Sequence, residues 1–375
     1  MAGIYLHIPF CRQACTYCNF HFTTSLRNKD ALITALRKEL VAEKDYLRGE
    51  TVETIYFGGG TPSLLTIDDL RFTISDLQKH YPITADAEIT LEANPDDISI
   101  EKLKAWKDLG INRLSIGVQS FFEEELRWMN RAHNAQQAID NLQLARKTFD
   151  NITMDLIYGS PLLTDEMWMQ NVQTAIDLDI PHLSCYALTV EEKTPLHKNI
   201  ALKKTGDVDS DKQARQFLLL MQRLREAGYE HYEVSNFAKP GYRSRHNSSY
   251  WKGLPYLGIG PSAHSFNGAE RRWNVANNNV YNKGLNEGLP VRETETLTRA
   301  QQLNETIMIS LRTMEGIDLN KIQNSWGNNE RKRIEKDLTK YVNNGLVRIN
   351  NGFAKLTDEG MLRADGIASD LFSEP

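Results

Sequence analysis

Cysteine is scarce in this chain, four among 375 residues. It is also too unevenly placed for a disulfide framework: three thiols crowd into "IPFCRQACTYCNF" and the fourth, Cys185, sits in the apolar stretch "HLSCYALT". Long apolar runs are missing as well, and no window approaches the roughly 20 residues a membrane span requires. The opening "MAGIYLHIPF" lacks a basic region followed by a long apolar stretch and a cleavage site. Secretion is therefore not expected, and a cytoplasmic protein with at most peripheral membrane contact is. Basic charge is not in excess: 44 Lys and Arg stand against 49 Asp and Glu, a net charge of -5. General attraction to phosphate backbones is absent, so nucleic acid is not an expected partner.

What the chain does contain is a repeat of short apolar runs bounded by turn residues, at 3–9, 54–60, 88–94, 113–119, 152–159 and 182–189. Several are almost wholly apolar, as strands covered on both faces are. Helical patterns separate them, and a further one, "SDKQARQFLLLMQRLREAG", follows the last. Ser99 and Thr164 are expected N-caps, while Gly110 and Gly228 close helices. A βα unit repeated six times calls for parallel strands with right-handed crossovers. No GxGxxG follows the first run and no lysine follows "FGGGTPS", which removes the dinucleotide and P-loop signatures. The expected fold class is thus α/β, a partial (βα)6 TIM-type barrel over residues 1–235. Residues 236–295, rich in aromatics, Gly, Pro and Asn, read as an ordered but irregular connecting segment. Residues 296–375 read as helices and a hairpin around "NNG", a small winged-helix-like α+β module.

The unusual residues fall where strands end. Cys11 follows the first, Gly58, Gly59 and Gly60 close the second, and Glu92 with Asn94 closes the third. Gln119 closes the fourth, Asp155 lies within the fifth, and Tyr186 to Thr189 close the sixth. In barrels of parallel strands that carboxyl-terminal rim is where active sites are built. Cys11, Cys15 and Cys18, spaced C-x3-C-x2-C, offer three soft ligands on one short loop, one fewer than an iron–sulfur cubane normally takes. An open iron corner is where chemistry happens. A Cys3His zinc site using His7 or His21, or three unligated thiols, are the alternatives at this point. Cys185 reads as a buried core residue, and a glycine run at a strand end leaves backbone polar groups free for a small molecule.

The spacing C-x3-C-x2-C after a first strand, with a partial βα barrel behind it, resembles the radical S-adenosylmethionine superfamily. The likeness tightens across "YLHIPFC", "YFGGGTPS", "LEANP", "LSIGVQSF", "NRAH", "DLIYG" and "HNSSYW". It is similar to the branch that holds oxygen-independent coproporphyrinogen III oxidase and a related heme chaperone. The resemblance implies a 4Fe-4S cluster on the three cysteines and S-adenosylmethionine (SAM) on the open iron, held by Tyr5, Gly59 and Glu92. Tyr17, Gly60, Thr61, Gln119, Arg131 and Asp155 match positions that hold a second SAM molecule in the oxidase. The oxidase typically carries a fourth cysteine two residues after the third, and an extension ahead of the first strand. Here Phe20 takes that place and the strand begins at once, departures that match the chaperone and put porphyrinogen decarboxylation in doubt.

"HNSSYW" matches a motif implicated in heme binding by the chaperone branch, which implies His246, Tyr250 and Trp251 as heme-binding residues. Imidazole is a common axial ligand, and the two aromatic side chains offer flat faces to a macrocycle. His264 in "GPSAHSF" is a second histidine to watch; Arg243, Arg245, Arg271 and Arg272 are available for propionates. The implied function is to bind heme and pass it to acceptor hemoproteins of the respiratory chain, on a fold able to cleave SAM. The runner-up is the oxidase reaction itself. Radical modification of RNA would call for a basic carboxyl-terminal face, against the overall acidity. A homodimer and the covalency of heme binding stay open.

Overall fold

The computed structural model describes residues 1–373. Strands β1 (Ala2–Ile8), β2 (Val52–Gly59), β3 (Ile83–Ala93), β4 (Arg113–Gln119), β5 (Asn151–Tyr158) and β6 (His182–Ala187) lie side by side in sequence order, all parallel. Helices α1 (Lys29–Ala42), α2 (Ile67–His80) and α3 (Ile100–Asp108) make the first three crossovers. Between β4 and β5 come α4 (Glu123–Trp128) and α5 (Ala135–Arg146), and α6 (Asp165–Asp177) leads to β6. Then follow α7 (Pro195–Ala201) and α8 (Ser210–Glu226). The fold is the expected α/β partial barrel. In β1, Ile4, Leu6 and Ile8 are buried under the helices. Alternation then turns Tyr5 and His7 to the concave side, which is why the strand looks apolar almost throughout.

Helix boundaries obey the expected capping chemistry. Ser99 Oγ accepts from the Lys102 amide at 3.3 Å and Thr164 Oγ1 from Met167 at 3.2 Å, while Gly110 and Gly228 take positive φ. The short helices α4 and α7 had no expectation attached; six or seven residues carry too little periodicity to announce a helix.

The segment 236–295 differs from its irregular reading. It pairs into the sheet at both ends, through β8 (Asn236–Ala238), which lies antiparallel between β6 and the preceding β7 (Glu230–Glu233), and through four further strands on the β1 side. Between them α9 (Arg245–Trp251) carries the HNSSYW motif. Strand β9 (Tyr256–Ile259) lies parallel to β1; β10 (His264–Phe266), β11 (Glu270–Asn274) and, after α10 (Asn278–Glu287), β12 (Arg292–Thr296) follow antiparallel. The twelve-stranded sheet runs β12-β11-β10-β9-β1-β2-β3-β4-β5-β6-β8-β7. Strands of three to five residues interrupted by glycines are too short to show alternation, so the aromatics that form them read as loop.

The last stretch packs its own apolar cluster, from Leu303 to Leu371. It comprises α11 (Arg299–Leu311), β13 (Ile317–Asp318), α12 (Leu319–Trp326), α13 (Asn328–Asn343), β14 (Val347–Asn350), β15 (Phe353–Leu356), α14 (Asp358–Met361) and α15 (Ala364–Asp370). The expected hairpin joins β14 to β15, with Asn351 and Gly352 both at positive φ as a tight two-residue turn demands. Val234 N donates to Arg312 O at 2.8 Å, and Arg225 reaches Asp358 at 2.7 Å, which tie this unit to the barrel.

Candidate functional site

The cysteine loop leaves β1 and is pinned at several points. Cys11 N donates to Thr23 O at 3.0 Å, Thr16 N to Met129 O at 3.1 Å, and Asn130 Nδ2 to Ala14 O at 2.7 Å. Cys11, Cys15 and Cys18 are free thiols on the wall of one cavity of about 760 Å3 at the carboxyl-terminal ends of the strands. Burial pushes the Cys11 thiol up to about 11 and raises Cys18 too, with the neighbouring thiols adding to the effect. A bound metal would reverse this, since thiolates are the ligand form. Among the described residues no three acid, histidine or cysteine side chains converge on a single-ion site. Three soft thiolates on one wall are the ligand set that an iron–sulfur cluster with one open corner would take.

Beside them ends β2. A side chain at Gly60 would meet Phe10 O at 2.7 Å and Ile8 O at 2.9 Å, so the cysteine loop crosses directly over bare backbone. Gly59 has φ +111 and its amide donates to Glu92 Oε2 at 3.0 Å, while Tyr56 donates its hydroxyl to Glu92 Oε1 at 2.9 Å. These two contacts do not fill the carboxylate's acceptor capacity. Burial lifts Glu92 to about 7, with Asp155 contributing and the two hydrogen bonds opposing. Asp155, on β5, is raised to about 6 by burial against the pull of Ser184, Arg113 and Arg131. Two carboxyls poised near neutrality in a water-poor cleft are suited to hold an ammonium, a sulfonium or ribose hydroxyls.

Opposite them stands Arg131 of "NRAH". Its Nη2 donates to Asn94 Oδ1 at 2.8 Å and Gly117 O at 2.5 Å, and its Nη1 to Cys15 Sγ at 3.3 Å. Gln119 bends the end of β4 with φ 74, an uncommon conformation for this residue type, and its Oε1 is buried without a partner. Arg131 Nε likewise has no hydrogen bond, and neither has Arg113 Nε, whose nearest carboxylate is Glu88 at 4.0 Å. Tyr17, Gly60 and Thr61 complete the wall. Orphaned polar atoms gathered round one cleft are what a bound polar molecule would satisfy.

Tyr5 lies behind the wall: it stacks on Tyr56 at 6.0 Å and its hydroxyl meets His7 Nδ1 at 3.0 Å. His246, Tyr250 and Trp251 are not in the wall either. The Glu88 carboxylate caps the start of α9 through the Arg245 and His246 amides, at 3.1 and 3.0 Å. The His246 ring, 1% exposed, stacks on Tyr56 at 5.0 Å. Its Nδ1 meets Thr54 Oγ1 and its Nε2 the Tyr250 hydroxyl, both at 2.8 Å. Burial and then Arg113 lower this imidazole to about 3, so it is neutral. An iron could reach it only after one of those bonds is broken.

Sequence reading missed Arg113, 1% exposed at the start of β4 yet lining the cavity, and Tyr56, which links His246 to Glu92. An arginine opening an otherwise apolar strand was the available signal. It also missed the roof: Arg312 and residues 361–366 of the last unit close the cavity from above, and Phe20, 68% exposed, stands at the rim.

Residues 5–175 match the radical SAM superfamily and residues 297–363 the HemN C-terminal domain. The chain is 31% identical to the heme chaperone HemW of Bacillus subtilis over the whole of both chains. It is 38% identical to that of Escherichia coli, over 70% of this chain and 69% of the other. In three dimensions it is similar to the coproporphyrinogen III oxidase HemN of Escherichia coli, a radical SAM enzyme. The TM-score is 0.85 at 25% identity, covering 99% of this chain and 90% of that one.

Proposed function

The chain belongs to the radical SAM superfamily and, within it, to the family of the heme chaperone HemW; from that premise we propose that it carries heme to acceptor hemoproteins, those of the respiratory chain, in the cytoplasm. Cys11, Cys15 and Cys18 would hold a 4Fe-4S cluster, leaving one iron for SAM. When bound, that pair supplies an electron to the sulfonium and so a route to a carbon radical. The chain's own contribution is to bind and orient. Glu92, fixed by Tyr56 and the Gly59 amide, faces the cluster loop across the bare backbone of Gly59 and Gly60 and would take the ammonium group. Asp155, Gln119, Arg131, Tyr17 and Thr61 surround the deeper part of the cavity, where ribose hydroxyls or a second cofactor molecule would find partners.

The observation that carries this reading is the meeting of three free thiols and the Glu92–Gly59 cradle in one cavity. Oxygen-free reconstitution with iron and sulfide should yield about four irons per chain, and adding SAM should change the electron paramagnetic resonance signal of the reduced cluster. A stoichiometric zinc protein without sulfide would end the proposal.

The likeness to HemN favours one second reading, radical decarboxylation of a porphyrinogen. Phe20 in place of a fourth cysteine argues against it. Anaerobic incubation with coproporphyrinogen III, SAM and reductant separates the two: sustained product formation identifies the oxidase.

A further inference from the structure

Axial ligation of heme iron requires an imidazole nitrogen with a free lone pair beside open space. Of the nine histidines, His7, His182 and His246 have both ring nitrogens in hydrogen bonds. His21, His133 and His231 bond through one nitrogen only, but His133 is buried, His231 is packed between Phe217 and Phe237, and His21 has only the His7 ring beside it. Among the described residues only His80, His197 and His264 make none. His80 ends α2 and His197 lies in α7. His264 is different. It opens β10 with its side chain exposed, and it faces Trp273 across the antiparallel pair, ring centroids 6.3 Å apart at 30°.

Strand alternation gathers flat side chains on the same face. Phe266 lies two residues on from His264 and opposite Tyr256 of β9, with ring centroids 6.4 Å apart. Tyr256 in turn meets the ring of Tyr250 edge to face at 4.7 Å. Tyr250, Tyr256 and Phe266 therefore lie on the same sheet face as the His264–Trp273 pair, and lead from the HNSSYW helix toward an unengaged imidazole. Arg271, cross-strand from Phe266, is paired with Glu305 of α11 through Nη2 at 2.9 Å and keeps its Nε without a hydrogen-bond partner. Partial burial, then Arg271, lower the pKa of His264, which favours the neutral form that binds metals.

We propose that His264 is the axial ligand to heme iron, with the macrocycle lying on Trp273, Phe266 and Tyr256 and a propionate directed to Arg271. The assignment rests on the heme-carrying reading above. It gives the HNSSYW motif a share in the site through Tyr250, and leaves His246 buried beneath it. A flat apolar ring, one nitrogen ligand and an anionic edge are what iron protoporphyrin asks of a protein surface.

The test is a hemin titration of the full-length protein, followed by the Soret band. Wild type should give a histidine-ligated band. His264→Ala should bind roughly tenfold or more weakly, with a shifted band that free imidazole restores; His80→Ala and His197→Ala should match wild type. Because the His264 ring has no hydrogen bond to lose, its variant should keep the wild-type thermal midpoint. His264→Met, a different iron ligand at the same place, should move the band rather than abolish it. A His264→Ala protein with the wild-type band and affinity overturns the assignment. A wild type that develops no Soret band at all removes the heme-carrying reading instead, a result separable from the first.

Discussion

Glu39 and Glu92 are both carboxylates drawn out of water by the same sheet, and their surroundings differ in kind. At the seam between α1 and the added strands, Glu39 is 1% exposed and fully engaged. It accepts from Tyr281 at 2.5 Å, the Gly260 amide at 2.8 Å and Asn274 at 2.7 Å, with Arg292 3.8 Å away. At the barrel rim, Glu92 has two donors and a cavity in front of it. Burial raises the pKa of both. A raised pKa therefore does not distinguish a structural acid from one kept for a ligand; unfilled acceptor capacity does. Around Glu39 both carboxylate oxygens are taken up by fixed donors, whereas Glu92 shares its cavity with Gln119 Oε1 and Arg131 Nε, which have no hydrogen-bond partner.

The comparison can be broken at several points. The largest effect belongs to the rim: Cys15→Ala should abolish cluster incorporation, read as loss of the visible iron–sulfur absorption, while the apo chain unfolds at its usual temperature. At the seam the pattern inverts. Glu39→Ala should cost about 3 kcal/mol, because it strands buried donors and the Arg292 charge, and chemical denaturation would show it. Glu92→Gln should stay within about 1 kcal/mol of wild type, yet weaken SAM binding by roughly tenfold, the scale of one charge-assisted contact. The ionised forms of Glu92 and Asp155 attract a cationic ligand, and these carboxyls protonate near pH 7 and 6. SAM affinity should thus fall as pH drops through that window, and Glu92→Gln should remove the upper step of the profile. The smallest effect is expected where the two apolar units meet at the surface. Arg225→Ala breaks the exposed pair with Asp358 and should change stability by ~0.5 kcal/mol or less.

Much of the barrel was legible because its strands are long enough to be apolar on both faces and its helices carry caps. The run 113–119 coincides with β4 to the residue. The cavity wall was legible for a related reason: special residues stood at strand ends, and parallel strands bring those ends together. Strands β9 to β12 were not, since five residues or fewer give no period. Nor could sequence order reveal that "HNSSYW" lies against β1 and β2, where Thr54 and Tyr250 take up both nitrogens of His246. Pattern says which residue types are present; only packing decides whether a nitrogen is already spoken for. Arg113 escaped because a single charged residue at a strand's first position looks like a solvated end, yet the strand begins deep inside.

The crossing at Gly60 sets the distance between the thiol-bearing loop and the second strand by main-chain contact alone. No side chain can be enlarged or trimmed to retune it. Substitutions in the walls and roof can therefore alter what is held there while the seat of the thiols keeps its height; a single methyl added at Gly60 would press on the main chain of Ile8 and Phe10 and lift it.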